Sequence, residues 1–126
     1  RRAVRYARER IVFDRQIGMN QGIQHPLAEK WMYLEAAWLM AMKAAELYDM
    51  GEPCGAEANS AKFLGARAGH DAAWQAIMTH GGMGYAKEFH VERLFREVSL
   101  TRLAPITEQL ILSFVAEKVL DLPKSY

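Results

Sequence analysis

Apolar residues return at helical spacing along most of the chain. In the longest segment they recur at alternating steps of four and three residues: Leu27, Trp31, Leu34, Trp38, Ala41, Ala45 and Tyr48. Met32 and Leu39 make the opposite side apolar as well. A helix that is apolar on more than one side has to pack on more than one side, so we expect neighbours around it. Pro26 suits its first turn, and Gly51 with Pro53 predicts its end.

Three further segments carry helical patterns. Residues 56–79 are rich in alanine, and Gly65 and Gly69 predict the close approach of a neighbouring helix. A short stripe follows a glycine-rich corner and has the spacing of one helix face: Val91, Leu94, Phe95 and Val98. A last helix is predicted to start at Pro105 and to bury four residues: Leu110, Ile111, Phe114 and Val115.

Together with residues 1–10, these segments predict four to five helices. No stretch alternates cleanly enough to predict a strand, and no linker or repeat is visible. A chain of 126 residues supports one domain with a core. The sequence therefore predicts an all-α fold, an antiparallel helical bundle over residues 1–126. Residues 1–10 read as the middle of a helix without a cap, so we expect a piece of a longer protein.

Composition excludes several kinds of partner. The formal net charge is +1, and a quarter of the residues are charged. The chain therefore lacks the excess of basic residues that is typical of nucleic-acid-binding domains. No apolar run reaches membrane-spanning length, so we expect no membrane partner. The single cysteine, Cys54, has no intrachain mate, which is typical of a reducing compartment.

The run Met78-Thr79-His80-Gly81-Gly82-Met83-Gly84-Tyr85 is the most informative segment. Its three glycines leave a bare backbone that can turn sharply and expose main-chain N–H groups to a flat or charged ligand. The structural alternative is a helix C-cap and a tight corner between two helices. A lone histidine at such a corner is more often a packed ring than a catalyst, so His80 is given no catalytic role.

The sequence blocks on either side of this run indicate a protein family. Upstream stand Arg8-Glu9-Arg10-Ile11-Val12-Phe13-Asp14-Arg15-Gln16-Ile17, Gln21 and Leu27-Ala28-Glu29, and downstream come Val91-Glu92-Arg93-Leu94-Phe95-Arg96-Glu97 and Thr107-Glu108-Gln109. In this order and at these separations, the blocks resemble the C-terminal domain of the acyl-CoA dehydrogenase family. The resemblance covers nearly all of the chain, and the joint order of the blocks is more specific than any one of them.

The resemblance implies a bundle that builds the subunit interface and contributes to an FAD site. Seven positions match cofactor-contacting positions of the family: Arg10, Phe13, Gln21, Gly81, Gly82, Thr107 and Gln109. The arginine, phenylalanine, glutamine and paired glycines contact the nucleotide of the neighbouring subunit in relatives. Met78 stands where relatives commonly have glutamine, so a polar contact there is lost or is taken over by backbone or water. Without the family, Arg10 is equally well a solvated arginine and Phe13 a core residue.

The catalytic residue is unknown. Many relatives place a glutamate base in a motif whose threonine and glutamine match Thr107 and Gln109, and this alignment puts Pro105 at the glutamate position. Proline cannot act as a base. Glu108 is a weak candidate for that role, and its structural alternative is a solvated glutamate in the first turn of a helix, favoured by the helix dipole.

Three explanations remain open for the missing base. It lies on an earlier helix, as in some branches of the family, or the chemistry is a variant, or the chain is a noncatalytic half of a mixed oligomer. A further alternative is a helical interaction module that binds no flavin. For the full-length protein the resemblance implies an acyl-CoA substrate, electron-transferring flavoprotein or a similar acceptor, and self-association as a dimer or tetramer. It also implies a cytoplasmic location, or the mitochondrial matrix in a eukaryote, and an inactive isolated fragment.

Overall fold

The computed structural model describes residues 1–125, which form five α-helices. The helices are α1 (Arg2–Glu9), α2 (Gln21–Asp49), α3 (Gly55–His80), α4 (Val91–Leu100) and α5 (Glu108–Lys118). Short 3-10 turns occupy Ile17–Met19, Gly81–Gly84 and Lys87–Phe89. The predicted all-α bundle is therefore confirmed. Among residues 1–125, no helix combines the length and hydropathy that crossing a bilayer requires.

Helix α3 is the central element, and the long helix α2 runs antiparallel to it. Lys43 of α2 pairs with Glu57 near the start of α3 at 3.0 Å. Lys30, near the start of α2, and Asp71, in the second half of α3, line the same interhelical groove. The first residues of α2 therefore lie beside the C-terminal end of α3.

The other helices also pack on α3. Helix α4 is antiparallel to it, with the Phe95 ring 5.0 Å from the ring of His70 and 5.7 Å from that of Trp74 between centroids. Helix α5 continues in the same direction towards the start of α3, where a Cβ on Gly55 would lie 3.2 Å from Phe114. Helix α1 is parallel to α3, and the two end at the same end of the bundle.

The core of the chain is made mostly of alanine, with Val91 and Ile111 as its larger members. The buried hydrophobic residues are Ala3, Ala7, Ala37, Ala66, Ala68, Val91 and Ile111. The large residues of the α2 stripe face outward instead: Trp31 and Trp38 are each 62% exposed and Tyr48 is 75% exposed. The expectation that α2 packs on more than one side is thus met only in part within this chain. Helix α3 covers one side and α1 contacts the first half of α2, whereas Trp38, Leu39 and Tyr48 are exposed.

Several boundaries differ from the sequence prediction. Helix α2 begins five residues before Pro26, which lies inside it. A proline in the second turn costs one internal hydrogen bond and does not stop a helix of this length. Helix α5 begins at Glu108 and not at Pro105, because the Thr107 hydroxyl caps it by accepting a hydrogen bond from the Leu110 N–H at 3.4 Å. Of the residues predicted to be buried, Ile111 is buried and Leu110 is exposed.

Glycine close packing is confirmed at Gly69 and absent at Gly65. A Cβ on Gly69 would lie 2.9 Å from a methyl of Val98 in α4, whereas a Cβ on Gly65 meets nothing within 4 Å. The tightest packed glycine of the corner is Gly84, where a Cβ would lie 2.6 Å from the carbonyl oxygen of Ile77. This contact is with backbone, which cannot rotate away, so Gly84 fixes the corner against α3.

We expect Gly84→Ala to lower the free energy of unfolding by about 1–3 kcal/mol, because the added methyl group forces the corner off α3. The matched control is Gly82→Ala, whose Cβ meets nothing within 4 Å. It should change the stability by less than about 0.5 kcal/mol. Urea unfolding followed by circular dichroism measures both. Equal losses in the two variants would contradict this account of Gly84.

Candidate functional site

Five predicted contact residues lie at one end of the bundle, which we call the end cluster: Arg10, Phe13, Gln21, Gly81 and Gly82. Arg10 directly follows α1, and Gly81 directly follows α3. The two helix ends are held together by Tyr6, whose ring stacks on His80 with 4.2 Å between centroids. Gln21 is the first residue of α2, which starts at this end because α2 is antiparallel to α3.

A short hairpin carries Phe13 away from the bundle. Strands β1 (Ile11–Val12) and β2 (Arg15–Gln16) pair antiparallel, which corrects the expectation that no strand would form. Phe13 and Asp14 connect them with φ values of 52° and 59°. Two positive φ values are the signature of a type I′ turn, which suits a two-residue hairpin. The Phe13 side chain is 94% exposed at the tip, so it is not a core residue.

The glycine corner has three positions with three different properties. Gly81 has a φ of +58°, which disfavours residues with a side chain. Gly84 is required for packing against Ile77. Gly82 is exposed, has no positive φ, and a Cβ there would meet nothing within 4 Å. No contact within residues 1–125 therefore requires glycine at position 82, and the backbone there is open to a molecule from outside.

His80 is a packed ring, which agrees with leaving it without a catalytic role. It is buried, and its Nδ1 lies 2.6 Å from the carbonyl oxygen of Ala76. Tyr6 stacks on one face, and Phe89 approaches with 5.6 Å between ring centroids. The ring joins α1, α3 and the turn before α4, and so holds the end cluster in shape.

Thr107 and Gln109 lie apart from the end cluster, at the start of α5. Glu108 between them contacts Arg67 in the middle of α3, and Arg67 is about 20 Å from His80 along the helix axis at the usual rise. Gln109 is exposed, and Pro105 is exposed in the loop that precedes α5. The structure thus brings five of the seven residues together and separates the other two from them.

Glu108 is buried, with 6% of its surface exposed, and two arginines hold its carboxylate. The Arg102 Nε and Nη2 groups donate to Oε1 and Oε2 at 2.6 and 3.2 Å. The Arg67 Nε and Nη2 groups donate to Oε2 at 3.2 and 3.1 Å. The expectation of a solvated glutamate is therefore wrong.

These contacts decide the charge of Glu108. The pKa of Glu108 is lowered to about 2, chiefly by the hydrogen bond from Arg102. Burial raises the pKa, but the hydrogen bond from Arg67 and the positive charges of both arginines lower it further. A carboxylate this acidic has little tendency to take up a proton near neutral pH. The geometry favours a structural bridge over a general base.

Arg67 and Arg102 were not identified from the sequence. Arg67 is 41 residues from Glu108, so only the packing of α5 on α3 brings them together. Arg102 is six residues from Glu108, across the loop that contains Pro105. No helical or strand spacing pairs residues six apart, and the only available signal was an arginine and a glutamate flanking one turn.

The chain matches the family model "Acyl-CoA dehydrogenase, C-terminal domain" over residues 1–120. The match includes every candidate contact residue and the bridge around Glu108. The chain therefore belongs to the acyl-CoA dehydrogenase family and corresponds to its C-terminal domain.

Individual relatives agree with this assignment. The chain is 44% identical to the acyl-CoA dehydrogenase FadE12 of Mycobacterium tuberculosis over 99% of its own length and 33% of the relative's. It is 36% identical to the caffeyl-CoA reductase-Etf complex subunit CarC of Acetobacterium woodii over 85% of its length and 28% of the relative's. The butyryl-CoA dehydrogenase structure from Megasphaera elsdenii superposes with a TM-score of 0.92 at 28% identity, covering 94% of this chain and 31% of that one. The chain spans about a third of these relatives.

Acid should weaken the Glu108 bridge. Because the folded-state pKa is lowered from 4.5 to about 2, the bridge stabilises the fold fully above pH 4.5, and the stabilisation is lost as the pH falls towards 2. At pH 6 we expect Glu108→Gln to lower the free energy of unfolding by about 1–3 kcal/mol, since the half-exposed arginines can regain water. Urea unfolding at pH 6, 4 and 3 should show the gap between wild type and variant shrinking.

The control for this measurement is Glu97→Gln, which breaks the exposed Arg93–Glu97 pair within α4. It should cost less than about 0.5 kcal/mol at pH 6. A gap between wild type and Glu108→Gln that stays constant from pH 6 to 3 would show that the carboxylate charge does not stabilise the fold.

Proposed function

We propose that the chain is the C-terminal, FAD-contacting and oligomerisation domain of a longer, flavin-dependent acyl-CoA dehydrogenase. The observation that carries the proposal is the end cluster. An arginine, an exposed phenyl ring and an open glycine corner meet where α1 and α3 end, although no contact within residues 1–125 requires this combination. When bound, FAD supplies the hydride acceptor for α,β-dehydrogenation of an acyl-CoA thioester.

The side chains of the end cluster suit a dinucleotide. The planar guanidinium of Arg10 offers paired donors to a pyrophosphate. Phe13 offers a flat apolar wall, and covering its exposed ring removes apolar surface from water. Gln21 adds an uncharged donor and acceptor, and the bare backbone at Gly81 and Gly82 allows the ligand to approach main-chain N–H groups. Phe13 stands on a hairpin that reaches away from its own bundle, which supports contact with the FAD of a neighbouring copy.

Thr107 and Gln109 would border flavin at a second place, about 20 Å along α3 from the end cluster. This separation is too large for one compact pocket. It is compatible with an oligomer in which one bundle contacts two flavins, or with one extended dinucleotide that reaches both places. In either arrangement Thr107 gives a hydroxyl and Gln109 an exposed amide.

The base for proton abstraction is proposed to lie outside residues 1–126, on an earlier helix of the full-length protein. Pro105 occupies the position of the family glutamate, and Glu108 is held as a carboxylate by two arginines. Residues 1–126 alone are therefore expected to be inactive. The full-length protein would remain an ordinary dehydrogenase whose C-terminal domain orients the cofactor and excludes water.

Electron-transferring flavoprotein or a similar acceptor is the proposed redox partner, and acyl-CoA the proposed substrate. The relative CarC is a subunit of a caffeyl-CoA reductase-Etf complex, which supports this pairing. We propose a location in the cytoplasm, or in the mitochondrial matrix of a eukaryote; the single cysteine of the 126 residues, which has no intrachain mate, is typical of a reducing compartment.

The full-length protein should be purified yellow, with the visible absorption bands of bound flavin. Gly82→Ala in that protein should weaken flavin retention by roughly tenfold or more, because a methyl group blocks close approach to the backbone. The measurement is flavin fluorescence released on dilution.

Gly65→Ala is the matched control, since its Cβ also meets nothing within 4 Å but lies in α3 away from the end cluster. It should retain flavin like the wild type. A folded, colourless wild type would favour the alternative, a noncatalytic interaction domain. A yellow wild type with unchanged retention in Gly82→Ala would remove the glycine corner from the flavin site.

The 126-residue chain should self-associate at roughly tens of micromolar, because the large apolar residues of α2 are exposed. Light scattering should give a dimer or tetramer mass, and Trp38→Glu should weaken association about tenfold or more. Tyr85→Glu introduces the same charge at an exposed aromatic residue outside α2 and serves as control. A strict monomer in the wild type would contradict the oligomerisation role.

A further inference from the structure

We infer that Glu108 is a positioning residue, which uses Arg67 and Arg102 to hold the start of α5 so that Thr107 and Gln109 face the flavin. This inference rests on the proposed function, and it assigns roles to two arginines that the sequence blocks of the family resemblance do not include. Glu108 itself touches neither cofactor nor substrate in this assignment.

The bridge joins three parts of the fold at one carboxylate. Arg67 belongs to α3, Arg102 to the loop after α4, and Glu108 to the first turn of α5. Four N–H donors at 2.6 to 3.2 Å fill the two carboxylate oxygens. A paired fork from Arg102 and a second arginine from another direction leave the carboxylate little freedom to rotate.

The same loop is attached to α3 at its beginning. The Lys62 ammonium group donates a hydrogen bond to the backbone carbonyl of Thr101. Between this point and Glu108 the loop carries exposed Leu103 and Ile106, which give it little packing of its own. The loop is therefore attached to α3 at both ends by cations of that helix, and backbone hydrogen bonds hold its first residues to the last turn of α4.

Thr107 and Gln109 are the immediate neighbours of Glu108, so the bridge fixes their backbone. The Thr107 hydroxyl already accepts a hydrogen bond from the Leu110 N–H, which makes Thr107 the cap of a helix that starts at Glu108. A cavity of about 340 Å³ opens beside the bridge, and its walls include Arg102, Thr107 and Gln109. Movement of the bridge would therefore reshape the cavity wall that carries both proposed flavin neighbours.

Stability alone does not explain so many polar partners in this place. Removing two or more charges from water is costly, and apolar replacements of buried ion pairs are often at least as stable. What a doubly paired carboxylate provides beyond an apolar contact is a defined orientation. Orientation matters at Thr107 and Gln109, because hydrogen bonds to a ligand weaken with misplacement.

The test uses the full-length protein and the rate of flavin release, followed by fluorescence. Glu108→Gln should accelerate release roughly five- to tenfold, the range expected when a charge-assisted contact is lost. In a Thr107→Ala/Gln109→Ala background the same change should have less than about a twofold effect, because Glu108 then has no contact to position. Glu57→Gln breaks the Lys43–Glu57 pair elsewhere on α3 and should release flavin like the wild type.

A second measurement does not depend on flavin. Amide hydrogen exchange of the same proteins should be faster at residues 107–111 in Glu108→Gln than in wild type, and unchanged there in Glu57→Gln. Equal acceleration of flavin release in both backgrounds, or unchanged exchange at residues 107–111, would overturn the positioning role. A colourless wild type would overturn the proposed function instead, and the exchange result would still decide whether Glu108 orders the start of α5.

Discussion

Close packing around α3 is the constraint on which the rest of the structure depends. Every other helix of the bundle contacts α3, and the buried hydrophobic residues of α3, Ala66 and Ala68, are small enough to allow close approach. Gly69 allows α4 to pack closely on α3, because a methyl group at this position would collide with Val98. Small residues bring the helix axes close but bury little apolar surface for each contact. The bundle therefore gains its shape from α3 more than from a large hydrophobic core.

The same constraint explains the unusual surface. Since the interhelical space holds alanines, the large apolar residues have no room inside and lie on the outer faces of α2, as Trp31 and Trp38 do. Such a surface is out of place on an isolated soluble domain and ordinary on one that packs against further subunits or domains. The exposed tryptophans and the exposed Phe13 leave apolar surface that, under the proposed function, neighbouring subunits or domains would cover.

The sequence predicted the helices well where a helical pattern continues over many residues. The predicted helix boundaries were wrong where a single residue, such as a proline or a capping threonine, decides where the helix begins. Helices α2 and α4 were identified from apolar spacing and α3 from its alanine content. The start of α2 was predicted five residues late, because a long helix tolerates a proline near its start. The start of α5 was predicted at Pro105, three residues too early, because the capping role of Thr107 was not recognised. The hairpin at Phe13 was missed because strands of two residues are too short to show alternation. The burial of the tryptophans was overestimated because the sequence of one chain does not show which apolar face a second molecule covers.

Part of the candidate site could be predicted from local sequence, and part depends on contacts between residues far apart in the chain. Order along the chain was sufficient to propose Arg10, Phe13 and Gly82, and helix packing is what gathers them at one end. The Glu108 bridge depends on a contact across 41 residues, so no local pattern could reveal it. Both regions are attached to α3, which as a continuous helix keeps them about 20 Å apart. Because a helix resists changes in length, any ligand or partner that engages both regions has to match this spacing, and α3 thereby sets the geometry of the site as well as that of the fold.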